Sequence, residues 1–113
     1  MKKLAIVFYL LALIGIKPPA QKYNNSSSFK SDSGYIFIDG GKLFYETAGD
    51  GEYIVLLHDG MVSHEIWDTQ FDLLAKKYRI VRYDRRAYGK SSDPQANYSH
   101  IEDLNRVFKQ LKI

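Results

Sequence analysis

The 113-residue sequence predicts an α/β fold on three observations. Two β-rich runs meet at Gly40-Gly41, which predicts a hairpin. Five consecutive apolar residues, Tyr53-Ile54-Val55-Leu56-Leu57, predict a strand covered on both faces, as in a parallel sheet. Apolar residues at helical spacing on either side of a further strand predict the crossover helices.

Structure is expected to start at Tyr35. Tyr35-Ile36-Phe37-Ile38-Asp39 and Lys42-Leu43-Phe44-Tyr45-Glu46-Thr47 form the hairpin arms, with glycine at the turn because it takes positive φ without a Cβ clash. Gly49-Asp50-Gly51 turns the chain into the apolar strand. Over 65–76, Ile66, Trp67, Phe71, Leu73 and Leu74 recur at helical spacing and leave Asp68, Gln70, Asp72 and Lys76 for the wet side. Tyr78-Arg79-Ile80-Val81-Arg82-Tyr83 alternates apolar and basic residues, the pattern of a strand near a sheet edge. Ser99-His100-Ile101-Glu102 is a capping box, and Ile101, Leu104, Val107, Phe108 and Leu111 carry the last helix onward at 3.6 spacing. No internal repeat is present.

An apolar share of 45% with 14% aromatics suits one packed domain. The net charge of +3 invites a polyanion partner, but Lys2, Lys3 and Lys17 flank the first apolar run, and beyond Ala20 thirteen basic residues balance thirteen acidic ones. The globular part is neutral, so no nucleic-acid partner is expected. Met1-Lys2-Lys3 followed by thirteen apolar residues over 4–16 has the n-region and h-region of a secretory signal peptide. That run falls short of the roughly 18 residues that a spanning helix needs. The expected organisation is a signal peptide over 1–20, a Ser/Asn-rich flexible linker over 21–34 and a partial domain over 35–113. Export follows, with contact to the membrane only in transit; an uncleaved leader would anchor the chain instead. The sequence has no cysteine, hence no disulfide, lipid-modified cysteine or thiol nucleophile. No His/Asp/Glu spacing suggests a metal, and no cofactor is called for. Oligomeric state is open.

Two loops carry chemistry. His58-Asp59-Gly60-Met61 leaves the apolar strand abruptly, where main-chain N–H groups are free of a ladder and can face a developing oxyanion. Asp84-Arg85-Arg86-Ala87-Tyr88-Gly89-Lys90-Ser91 leaves the next strand. An apolar strand ending in His58, Trp67 nine residues on, then Asp84, Arg86, Gly89 and Ser91 at matching intervals, resembles the opening of the α/β-hydrolase superfamily, with Asp93-Pro94 and Tyr98 adding to the likeness. The resemblance implies the amino-terminal portion of an α/β-hydrolase fold with an incomplete sheet. It implies backbone oxyanion donors at Gly60, with Met61 the neighbouring candidate, and a structural, loop-bracing His58. Ser91 lies outside any Gly-x-Ser-x-Gly elbow and is not the nucleophile. His64 and His100 read as surface residues, and Trp67 as a core anchor.

Two positions depart from the family pattern: Asp59 and Ala87 each stand where glycine is usual. A carboxylate beside an oxyanion opposes its stabilisation unless it points away, and Ala87 is strained by about 1–2 kcal/mol if its φ is positive. The family's nucleophile strand, acid and catalytic His come later in the chain order, and no Gly-x-Ser-x-Gly occurs here. The nucleophile strand pairs beside the strand read as Tyr53 to Leu57, which predicts an open edge there. The sequence therefore reads as a truncated, secreted hydrolase, inactive alone. Its full-length relative would cleave an ester, amide or related bond of a small-molecule substrate by a Ser-His-acid mechanism, or a carbon–halogen or epoxide bond if the nucleophile is Asp. The other readings are a non-catalytic binding or interaction module on the same scaffold, and a half completed by a second chain.

Overall fold

The computed structural model describes residues 5–7, 29 and 31–113. The rest of the leader, and the Ser/Asn-rich stretch apart from Phe29 and residues 31–34, lie outside the described residues. Five strands form one mixed sheet: β1 (Ala5–Val7), β2 (Ser31–Ile38), β3 (Gly41–Ala48), β4 (Tyr53–Leu57) and β5 (Arg79–Tyr83), in the order β1-β4-β5-β3-β2. β2 and β3 are antiparallel, β3 meets β5 antiparallel, and β4 runs parallel to both β5 and β1. Helix α1 (Asp68–Leu74), entered through a 3-10 turn over His64–Trp67, links β4 to β5, and α2 (His100–Leu111) follows the long loop after β5.

Alternation along the strands divides the core between the two faces of the sheet. On one face Ile36, Leu43, Val55, Val81 and Tyr83 pack with Val107, Leu104 and Phe108 of α2. On the other Ala48, Ile54, Leu56 and Ile80 pack with Trp67 and Phe71 of the α1 segment. β4 and β5 are thus covered on both sides, which is why β4 is apolar without alternation.

Several expectations shift. The hairpin turn is Asp39-Gly40, one residue earlier than expected, with Gly40 at φ 80 and Gly41 already paired with Ile38. β2 begins at Ser31 rather than Tyr35, because Ser31 to Gly34 pair with Ala48 to Tyr45 across the hairpin. β5 is central, not near an edge: its basic residues suggested solvent, but Arg82 is buried and satisfied by carboxylates. The helix expected over 65–76 is a 3-10 turn followed by a seven-residue α-helix, and Leu73 on it is 59% exposed instead of facing the core. The outer edge of β4, expected to be open, is paired with β1. At the start of α2 the Ser99 hydroxyl accepts the Glu102 N–H at 3.4 Å, the Ser99 half of the capping box that the sequence specifies. Among the described residues no helix is long and apolar enough to cross a membrane.

Candidate active site

β4 and β5 run parallel, so the loops that leave their carboxyl ends, 58–63 and 84–99, lie side by side where open α/β sheets bind ligands. His58 joins them. Its buried ring donates from Nδ1 to the Asp59 carbonyl at 2.7 Å and accepts the Arg85 N–H on Nε2 at 2.9 Å. A carbonyl can only accept, so Nδ1 carries the proton and Nε2 is the acceptor. This neutral form agrees with a pKa pushed below its ordinary value, chiefly by burial, with the Arg85 charge adding to the effect against the pull of the Asp59 carbonyl. Both nitrogens are committed, so His58 braces the two loops and has no lone pair for base catalysis.

The two oxyanion candidates differ. The Gly60 N–H donates to its neighbour's carboxylate, Asp59 Oδ1, at 2.7 Å. Asp59 thus occupies the N–H of one of the two candidate donors. Met61 takes φ 65 and is 97% exposed, and its N–H has no acceptor among the described residues. The left-handed φ falls on Met61, whereas Gly60 keeps a negative one.

Beside this loop an open groove of about 790 Å³ is walled by Leu57, His58, Gly60 and Val62 on one side and by Ile101 and Leu104 of α2 on another, with Trp67 and Tyr83 at its base. Ile101, expected in the core stripe of α2, is 73% exposed at the rim. Burial pushes the Tyr83 hydroxyl far above its ordinary range, so it stays protonated. His100 is exposed on the groove wall, as a surface residue, and desolvation with the nearby Arg85 charge lowers its pKa. Gln70 Oε1 and Arg85 Nε, also on the lining, are buried without a partner among the described residues.

The second loop is shaped by Asp84. Its Oδ1 accepts the His64 N–H at 2.6 Å and His64 Nδ1–H at 2.8 Å, and its Oδ2 accepts the Lys90 N–H at 2.9 Å. Gly89 sits at φ 51 so close to this carboxylate that any Cβ would collide with it. Ser91 donates its hydroxyl to the Asp84 carbonyl at 2.6 Å and accepts the Phe44 N–H at 2.9 Å, tying the loop to β3. That is a structural pin and not a nucleophile. His64 is the correction here: it is buried between Asp84 and Glu46, with Nε2 at 3.8 Å from Glu46 Oε1, and is not a surface residue. Trp67 is a core residue, as expected.

Sequence reasoning missed Asp103, which binds Arg86 through both carboxylate oxygens, and the Glu46 and Asp68 pair that holds Arg82. A signal existed for Asp103. It lies four residues before Val107 and eight before Leu111, an acid on the apolar stripe of its helix. Among the described residues no three His, Asp or Glu side chains converge as a metal site.

Ala87 adopts φ 74, the strained conformation that the missing glycine would relieve. Ala87→Gly removes about 1–2 kcal/mol of strain and gives back about 0.4–1 kcal/mol through the freer unfolded chain. The expected net gain is therefore about 0.5–1 kcal/mol, measured as a higher urea midpoint with unchanged slope. A lower midpoint would contradict the strain.

No family model matches the chain. It is 39% identical over 75 residues to a putative non-heme chloroperoxidase of Synechocystis sp., covering 63% of this chain and 27% of that protein. The bromoperoxidase structure from Bacillus anthracis superimposes with a TM-score of 0.68 at 32% identity, covering 73% of this chain and 32% of that one. An esterase from Exiguobacterium antarcticum gives 0.65 at 33% identity, over 70% and 31% of the two chains. Relatives and structural neighbours alike are α/β-hydrolases, and the chain is a partial α/β-hydrolase fold. It spans 9 to 32% of the length of the curated relatives it matches.

Proposed function

We propose that residues 35–113 build the oxyanion side of a hydrolase active site, in a chain exported by its leader. The substrate is a small molecule with an ester, amide or related bond. The observation that carries this reading is the His58-braced loop at the end of β4 walling an apolar groove beside the loop from β5. Met61 is the donor that remains available, and Asp59 restrains the Gly60 donor. These 113 residues contain no Gly-x-Ser-x-Gly, so the nucleophile, acid and catalytic His must come from elsewhere, and the chain alone is inactive.

Two assays test this. The purified chain should release nitrophenol from nitrophenyl butyrate no faster than buffer, and a rate that scales with protein concentration would overturn the inactivity. Residues 35–113 grafted in place of the matching segment of the Exiguobacterium esterase should give a folded, weakly active chimera. Asp59→Gly in the chimera should raise kcat at least about tenfold, since one oxyanion donor is worth roughly 100- to 1,000-fold. A chimera that melts cooperatively yet is inactive with either residue at position 59 sinks the oxyanion reading.

A further inference from the structure

We propose that the outer edge of β4 is an acceptor site for a parallel strand and that Ala5–Val7, inside the leader, is its placeholder in cis. The two strands are in register at Ala5–Ile54, Ile6–Val55 and Val7–Leu56. β4 is apolar, its three central residues are buried, and its other edge is taken by β5. With β1 in place β4 is an interior strand; without it, a row of unpaired N–H and C=O groups borders an apolar strand, the edge that most readily recruits another chain.

Reach is not limiting. Twenty-three residues separate Val7 from Ser31, enough for about 75 Å of extended chain, whereas β1 and β2, which hold those two residues, lie four strand spacings apart, about 19 Å. Ala-Ile-Val, two of three β-branched, also suits a strand as well as a leader.

This position matters because it is where the family resemblance puts the strand that leads to the nucleophile. β1 and that strand cannot both pair with the same edge of β4. A leader still attached therefore guards the edge against foreign strands and blocks completion of the sheet, and leader removal opens the site. The inference rests on strand pairing, not on catalysis, so its test is independent of the hydrolysis assays.

Hydrogen exchange of the full 113-residue chain, read by mass spectrometry on the monomer fraction from gel filtration, decides it. The Val7 amide of β1 and the outward-bonded Val55 amide of β4 should exchange at least tenfold more slowly than an unstructured chain. Val7→Pro, which deletes the ladder donor opposite the Val55 carbonyl and bends the strand, should abolish protection in both segments and spare the β2–β3 amides of Ile36 and Leu43. The wild-type measurement needs no variant to fold. Three results overturn the proposal: Ala5–Val7 exchanging at unstructured rates while β3 and β5 are protected, protection confined to a dimer fraction, which would make the occupant a second copy, or exchange throughout the chain.

Discussion

Asp84→Ala is expected to cost about 3–5 kcal/mol, a large fraction of the stability of a domain whose total is about 5–15 kcal/mol. Asp84 is 0% exposed and accepts three hydrogen bonds, two from His64 and one from the Lys90 N–H. Alanine leaves all three donors buried or half-buried with nothing to accept them, and each such loss costs about 1–3 kcal/mol. Asp84→Asn should lose less, since one carbonyl oxygen still serves the two His64 donors while the amide nitrogen opposes the Lys90 N–H. Urea unfolding followed by Trp67 fluorescence measures both, and an Ala variant within 1 kcal/mol of wild type would show that this carboxylate does not organise the loop.

How much of this was legible in the sequence depends on whether a signal is local. The hairpin turn, the five-residue apolar run of β4 and the Ser99 cap are local, and each appears within a residue or so of its expected place, because backbone conformation and burial on both faces leave direct marks on composition. The two loops were legible by spacing, and His58 does brace them. Partnerships distant in sequence were not. Arg82 looked solvent-facing because its acceptors, Glu46 and Asp68, stand 36 and 14 residues away on other elements. His64 carries no local mark of burial, since its partner is Asp84, twenty residues on in the loop after β5. Ile101 follows the apolar stripe of α2 but lies beyond the end of the sheet face that covers Val107, so periodicity overstated its burial. β1 was invisible for another reason: an apolar leader and a short apolar strand have the same composition.

Asp103→Ala is expected to cost about 3–5 kcal/mol through a different mechanism, the stranding of a buried charge. Arg86 donates from Nε and Nη2 to the two Asp103 oxygens at 3.1 and 2.7 Å, and from Nη1 to the Asp39 carbonyl at 3.1 Å. The Tyr98 ring lies 4.9 Å from the guanidinium, and both charged residues are buried. Removing the acid leaves the guanidinium desolvated with only a carbonyl and a ring to face. Replacing both partners with apolar residues of similar size, Arg86→Met with Asp103→Leu, removes the stranded charge and should recover most of the loss, because a buried pair stabilises little beyond its own desolvation. A double-mutant cycle by urea unfolding tests this, with a coupling energy of at least about 2 kcal/mol expected between the sites; additive losses would mean that the pair is not the source of the effect. The pair also ties the loop after β5 and the β2–β3 turn to α2, which carries the Ile101 and Leu104 wall of the groove. In the esterase chimera, Asp103→Ala should therefore raise KM more than it lowers kcat, since it loosens a binding wall and leaves the oxyanion loop in place.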